Sequence, residues 1–335
     1  MKARHAGLGW LGRLALPLMM TGLIGITVFP ARAVENETRR WSLELFDGFA
    51  GLGLGDFNLL AESDQGLREF LYDDFLEDLA ARGEILSWEA RADQDFPRLR
   101  WSLPFGARLR FQVRDGLSLS LGYRRLAREN SSDPSFSYTR NSGRDFSQTE
   151  EIVYQEYALS VAGSIPQIGI HVRLVRWGDF GIEIYTVGGP LYAECRFVRD
   201  RIYNWSETWQ GSTYTVFESR DRLEEEGDGV GVALEAGLRL NLVLSGRLSG
   251  FMESGWASQV VGSISGPGRE TILGDTASWE GEWEIRREVV TTTWGEYEYL
   301  YPSNLQPRPS TTMSQSDFRL DLSGFQLRLG LAFRF

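Results

Sequence analysis

The last twelve residues, GFQLRLGLAFRF (324–335), alternate without a fault. Phe325, Leu327, Leu329, Leu331, Phe333 and Phe335 hold every odd position, and Gln326, Arg328, Gly330, Ala332 and Arg334 lie between them. Successive side chains of a strand point to opposite faces, so this spelling makes a ribbon with one apolar side and one polar or small side. A strand of this kind must find an apolar environment for one face along its whole length.

The same code recurs upstream. In LRWSLPFGARLRFQV (99–113) the odd positions are apolar, and the even ones include Arg100, Arg108 and Arg110. Asp115-Gly116 then supplies a hairpin turn. Residues 230–244 repeat the pattern, with Glu235 and Arg239 on the polar side. Trp177-Gly178-Asp179-Phe180 and Ser245-Gly246-Arg247 read as two more tight turns, and a phase change near Ile165-Pro166 predicts a bulge. Strands are thus predicted near 41–54, 98–113, 117–128, 150–176, 181–204, 229–244, 248–262 and 317–335. The expected fold is all-β: an eight-stranded antiparallel up-and-down barrel, with ten strands as the alternative. Short turns (114–116, 177–180, 245–247) alternate with long acidic insertions near 55–97, 129–149, 205–228 and 263–316.

Alternation alone does not say which face looks inward. A soluble barrel hides its apolar face, and a membrane barrel turns that face to lipid. The apolar stretches run for about 11 to 15 residues, enough for the 9–11 of a tilted transmembrane strand. Small residues crowd the polar face, as a narrow interior requires. A closed barrel also leaves no unpaired backbone edge in lipid. The expectation is a transmembrane barrel with long extracellular loops and periplasmic termini.

The front of the chain agrees with export. Lys2, Arg4 and Arg13 precede or flank an apolar run from Leu14 to Phe29, and Pro30-Ala-Arg-Ala33 follows, which predicts a signal peptide over 1–33 cleaved after Ala33 and a mature domain over 34–335. Removing the leader's four positive charges takes the formal net charge from −11 to −15, which argues against nucleic acid as a partner. Cys195 is the single cysteine, so no internal disulfide can form.

Three stretches resemble bacterial outer-membrane β-barrel proteins, specifically small eight-stranded barrels of the OmpA/OmpX-like type. Gly324 to Phe335 resembles the C-terminal sorting signal read by the barrel-assembly machinery, with Phe325, Leu327, Leu329, Leu331, Phe333 and Phe335 as its apolar positions. Ile184-Tyr-Thr-Val-Gly-Gly-Pro-Leu-Tyr-Ala193 is similar to the Gly-rich fifth strand of such barrels, and Leu322-Ser-Gly-Phe325 to the entry of the last. The resemblance implies the outer membrane of a Gram-negative-type bacterium, with its lipid and lipopolysaccharide as neighbours. It does not settle function, because such folds host many.

If the odd residues of the last strand face lipid, then Arg100, Arg108, Arg110, Arg124, His171, Arg173, Glu183, Glu235, Arg239, Glu253 and Arg328 face the lumen. An eight-stranded interior is just wide enough for side chains to fill, so these charges are expected to pair as a structural plug. The alternative is a narrow channel for small polar or anionic solutes. His171 is the sole histidine of the mature chain and would have to be the base of any lipid-A-modifying hydrolase. Its predicted place near a periplasmic turn is the wrong leaflet for that reaction. No enzymatic activity, cofactor or metal is expected.

Residues 61–97 hold eleven Asp/Glu against three Arg, and 205–228 seven against two, which describes solvated acidic loops. Within the first, Leu67, Phe70, Leu71, Phe75 and Leu79 share one face of a predicted helix over 64–82, with Gly83 as its cap. WEGEWEIRREVVTTTWGEYEYLYP (279–302) predicts a hairpin whose aromatics either pair across the strands or meet a partner or glycan. The expected role is structural or surface-interacting.

Overall fold

The structure, a computed structural model, describes residues 40–55, 57–66, 87–141, 145–292, 295–302 and 313–335. The leader, and the helical face carried by Leu67 to Leu79, lie outside the described residues. Strand β1 (Trp41–Gly51) is followed by a helix, α1 (57–66), and by two short strands, β2 (Ser87–Asp93) and β3 (Trp101–Ser102). Next come β4 (Phe105–Arg114), β5 (Leu117–Ser132) and β6 (Ser135–Asn141). Three long strands follow: β7 (Phe146–Trp177), β8 (Phe180–Trp209) and β9 (Ser212–Val243). The remainder is β10 (Leu248–Val261), β11 (Ser265–Ile272), β12 (Asp275–Glu282), β13 (Glu284–Thr292), β14 (Gly295–Pro302), β15 (Met313–Asp317), β16 (Leu320–Asp321) and β17 (Gly324–Arg334).

The all-β expectation holds, and the strands close into a ring. β1 pairs with β4, β4 with β5, β5 with β7, β7 with β8, β8 with β9, β9 with β10 and β10 with β17. β17 then returns to β1, and every pairing is antiparallel. The closure is staggered. One row of partners runs Ser42, Arg110, Ser120, Gly169, Val187, Glu235, Ala257 and Gly324. Ser42 itself pairs with Arg334, ten residues from Gly324 on the same strand. A ring that closes with such a stagger must tilt its strands, typically by about 35–45°.

Two inward aromatics are accommodated by glycine. Phe46 lies opposite Gly106 on one side and Gly330 on the other, and Phe251 also faces Gly330. A Cβ at Gly106 or Gly330 would fall inside van der Waals contact with those rings. Phe46 therefore interrupts the alternation of WSLELFDGF, and Asp47 takes the outward position beside it.

The predicted bulge at Ile165-Pro166 is absent. Ser164 pairs with Tyr192 and Ile168 with Gly188, so the register passes Pro166 unchanged; the shifts in β7 fall at Tyr154/Glu156 and Arg173/Val175. What flips at Pro166 is the interior, not the chain. Toward the short-turn end the inward residues of β7 are Gln167 and His171; toward the other end they are Ile165, Val161, Leu159 and Tyr157, all buried. These join Leu126, Leu191, Cys195 and Phe197, with Phe57, Leu60 and Ala61 of α1, in one apolar cluster. Fully burying a Phe or Leu side chain contributes about 1.5–3 kcal/mol, and α1 is held further by the Tyr157 hydroxyl donating to Asp64 at 2.8 Å and by Asn58, which donates to the Leu99 carbonyl at 3.0 Å and accepts from its N–H at 3.1 Å.

The long insertions are more ordered than their acidity suggests. Residues 129–149 and 205–228 are largely strand, carried on β5 to β9. Residues 263–316 contain a β11–β12 hairpin on the edge of β9 and a separate sheet ordered β14–β13–β15. The predicted hairpin within 279–302 is present as β13–β14. The turns at Gln210-Gly211 and Leu273-Gly274 put both central residues at positive φ. Such mirror-image turns suit hairpins but usually announce themselves as Asn-Gly or Asp-Gly.

Replacing Gly106 by Val should destabilise the protein by about 1–3 kcal/mol through overpacking and so lower the urea midpoint, whereas Gly246→Val, in open space, should leave it unchanged. Tryptophan fluorescence during unfolding reads both.

Candidate functional site: a buried ion-pair cluster inside an apolar surface

The ring is inverted relative to a soluble barrel. Leu121, Ile168, Val230, Val232, Leu238 and Leu329 are each more than half exposed on the outer face. Arg108, Arg124, Arg239, Arg328, Glu44, Glu183, Glu235 and Glu253 are buried inside, none above 3% exposure.

Two carboxylates organise one group of arginines. Glu44 on β1 accepts from Arg108 Nε at 2.8 Å and from both Nη atoms of Arg239 at 2.8 Å. Glu253 on β10 accepts from Arg239 Nη1 at 2.9 Å, pairs with Arg328 Nη2 at 3.1 Å and accepts from Arg108 Nη2. Glu235 on β9 extends the network. It accepts from Arg124 Nη1 at 2.5 Å, from the Tyr185 hydroxyl at 2.6 Å and from Arg328 Nη2. Glu183 on β8 accepts from Arg110 Nη2 at 2.9 Å, and Arg110 also donates to Ser118 Oγ at 3.1 Å. The guanidinium of Arg239 lies 3.8 Å from the centre of the Phe251 ring, and those of Arg108 and Arg328 lie 5.4 and 5.2 Å from that of Phe46. Cation–π contacts of this kind strengthen when desolvated.

Most of the predicted lumen residues are brought together here. Arg173 is not: it is half-buried near the turns and donates to Asp115 at 2.7 Å. Arg100 is outside the cluster altogether. It is exposed and lines a cavity of about 500 Å³ with Arg98, Asn130 and Ser132. The alternation predicted over 99–113 fails at its start because residues 95–100 form no strand and Leu99 turns into the apolar cluster.

Glu44 is not among the residues expected from the sequence, although like Glu253 it meets three guanidinium groups. The signal was Leu43-Glu44-Leu45, obscured by Phe46 and Asp47 behind it. Gln326, Gln167 and Tyr185 were also unforeseen; all three are buried.

His171 lies between Ser120, whose Oγ is 3.0 Å from Nε2, and the Tyr185 ring, stacked at 6.1 Å. Its Nδ1 has no hydrogen-bond partner, so no acid orients the imidazole as a Ser-His-acid arrangement requires. Among the described residues, no three His, Cys, Asp or Glu side chains are placed to hold a metal ion.

Beyond the apolar surface the long strands carry a second set of charges. Asp200 accepts from Arg220 at 2.9 and 2.6 Å and from Arg222 at 2.8 Å, and the Arg220 hydrogen bonds hold its carboxyl below the usual range. Glu225 is the outlier. Burial pushes its pKa up to about 8, and Trp279 of β12 is the hydrogen-bond partner that opposes this.

Removing one partner of a buried pair leaves an uncompensated charge and costs about 3–5 kcal/mol. Glu253→Ala should therefore destabilise the protein by about that amount, read from the urea midpoint. Glu225 behaves oppositely. Its folded pKa lies above its unfolded value of about 4.3, so stability falls as pH rises from about 4 to 8 and is flat above. Glu225→Gln should abolish that fall and raise the urea midpoint at pH 9 above that of the parent; an unchanged pH profile would contradict the burial argument.

Comparison with protein-family models and with curated proteins finds no match, so function is read from the geometry alone.

Proposed function

We propose that the ring is an eight-stranded outer-membrane β-barrel with a structural or surface-interaction role and a sealed lumen. The observation that carries this reading is the apolar outer surface wrapped around buried charge. From Phe335 to Phe325 the outward residues of β17 are uninterrupted Leu and Phe, all between 37 and 62% exposed. Ten residues span about 33 Å along a strand, or about 25 Å at a tilt near 40°. That equals the apolar band of an outer-membrane barrel, about 25 Å.

Exposed aromatics mark the two ends of the band. Trp41, Trp177, Phe333 and Phe335 lie at the short-turn end, and Phe49, Trp101, Tyr192 and Trp256 at the other. Such girdles sit at the two membrane interfaces. In this reading the short turns and termini are periplasmic, lipopolysaccharide surrounds the outer end, and the β17 strand is what the assembly machinery reads.

The interior favours a plug over a channel. Ion pairs fill the lumen across the band, and the apolar cluster around α1 stops it above. His171 sits toward the periplasmic turns, far from the outer-leaflet lipid, and the reading assigns it no catalytic role.

Purified protein should float with liposomes and migrate differently in detergent gels before and after heating. In planar bilayers it should carry no steady current. Failure to float would sink the membrane reading; ohmic conductance would sink the plug.

A further inference from the structure

Above the band, β7, β8 and β9 continue as a protruding sheet whose two faces differ sharply. Register places Phe146, Trp209 and Ser212 in one row, Gln148, Glu207 and Tyr214 in the next, and Glu150, Trp205 and Phe217 in a third. Contacts confirm that these share a face. Gln148 Nε2 donates to Glu207 at 2.7 Å, the Phe146 and Trp209 rings meet at 5.9 Å, and the Tyr203 hydroxyl donates to Glu150 at 2.7 Å beside Phe217. The opposite face has no aromatic ring in these rows: it carries Ser147, Thr208 and Thr213, then Thr149, Ser206 and Thr215, then Glu151, Asn204 and Glu218, and Thr208 and Thr213 hydrogen bond across it at 2.9 Å. Beside the Gln210-Gly211 turn, Trp209 is 59% exposed and Tyr214 63%.

We infer that this aromatic face is a platform for a neutral, hydroxyl-rich glycan chain. Flat rings offer surfaces on which the C–H faces of sugars stack, and Glu150, Glu207 and Gln148 between them accept and donate to hydroxyls. The carboxylates disfavour phosphate-bearing or sulfated polymers. Size argues against a globular partner. The exposed rings of the face, Trp209, Tyr214 and Phe217, are 59, 63 and 44% open, and at about 150–250 Å² for a whole aromatic side chain they offer roughly 250–400 Å², against about 800 Å² per partner in a standard protein interface.

The inference rests on the surface-interaction reading and names its partner class. It is tested on the full chain in detergent with maltohexaose, cellohexaose and chitohexaose, by calorimetry and tryptophan fluorescence. At least one probe should bind. Trp209→Ala and Tyr214→Ala should each weaken it by about tenfold or more, and Trp209→Phe should retain most of the affinity. Thr208→Ala and Thr213→Ala, on the other face, should leave it unchanged. No heat from any of the three probes overturns the inference, as does undiminished binding by the Trp209 and Tyr214 variants. Preference for dextran sulfate, lost in salt, would assign the face to an anionic polymer and overturn it too. Heat-modifiable migration of each variant separates a lost site from a lost fold. Liposome flotation is scored separately, so protein that floats without binding glycan leaves the membrane reading standing.

Discussion

The structure depends on the mutual neutralisation of buried arginines and glutamates. Moving a single ion from water to a low-dielectric interior costs several kcal/mol even after relaxation, and attraction to a partner repays this only with good hydrogen-bond geometry. Here the geometry is shared: Glu44 serves Arg108 and Arg239, Glu253 serves Arg108, Arg239 and Arg328, and Glu235 serves Arg124 and Arg328. These contacts tie β1, β4, β5, β9, β10 and β17 together through the centre of the ring. A slip of one strand by one residue would send its charged member to the outer face. The cluster thus fixes register as much as it contributes to stability.

The stagger and the glycines follow from the same need. A closed ring of this width has room for side chains and little else. Phe46 and Phe251 fit because Gly106 and Gly330 leave space beside them, and their rings lie against the guanidinium groups rather than against one another. Above the charged layer the interior becomes an ordinary apolar core, completed by Phe57 and Leu60. The same inward face is therefore polar at one height and apolar at another.

That change explains which parts of the molecule could be read in advance. Where the interior is charged and the exterior apolar, as in β17 and the lower half of β9, period two was unmistakable and the polar positions named their own inward members. At Pro166 the polarity of the inward face reverses while the backbone continues, and alternation read as chain geometry predicted a bulge that does not exist. Most described residues of 129–149 and 205–220 are partly or fully exposed on both faces, and the inward positions of 221–228 alternate Asp221, Leu223 and Glu225, polar and apolar together. With no apolar stripe to report, they read as loops although they pair residue by residue. Glu44 was concealed for a third reason, since its neighbours Phe46 and Asp47 reverse the expected sides.

Local spelling determined that this chain is β, that three of its strand connections are tight turns, and which face of β4, β9 and β17 carries arginine. Those properties reside in the two-residue period and in turn residues, which need only near neighbours. Tertiary structure alone decided which glutamate meets which arginine, that the ring closes with a ten-residue stagger, and that an apolar core sits above the ion pairs. Partners such as Glu44 and Arg239 are separated by 195 residues, and no local pattern specifies a contact that exists only when the ring has shut.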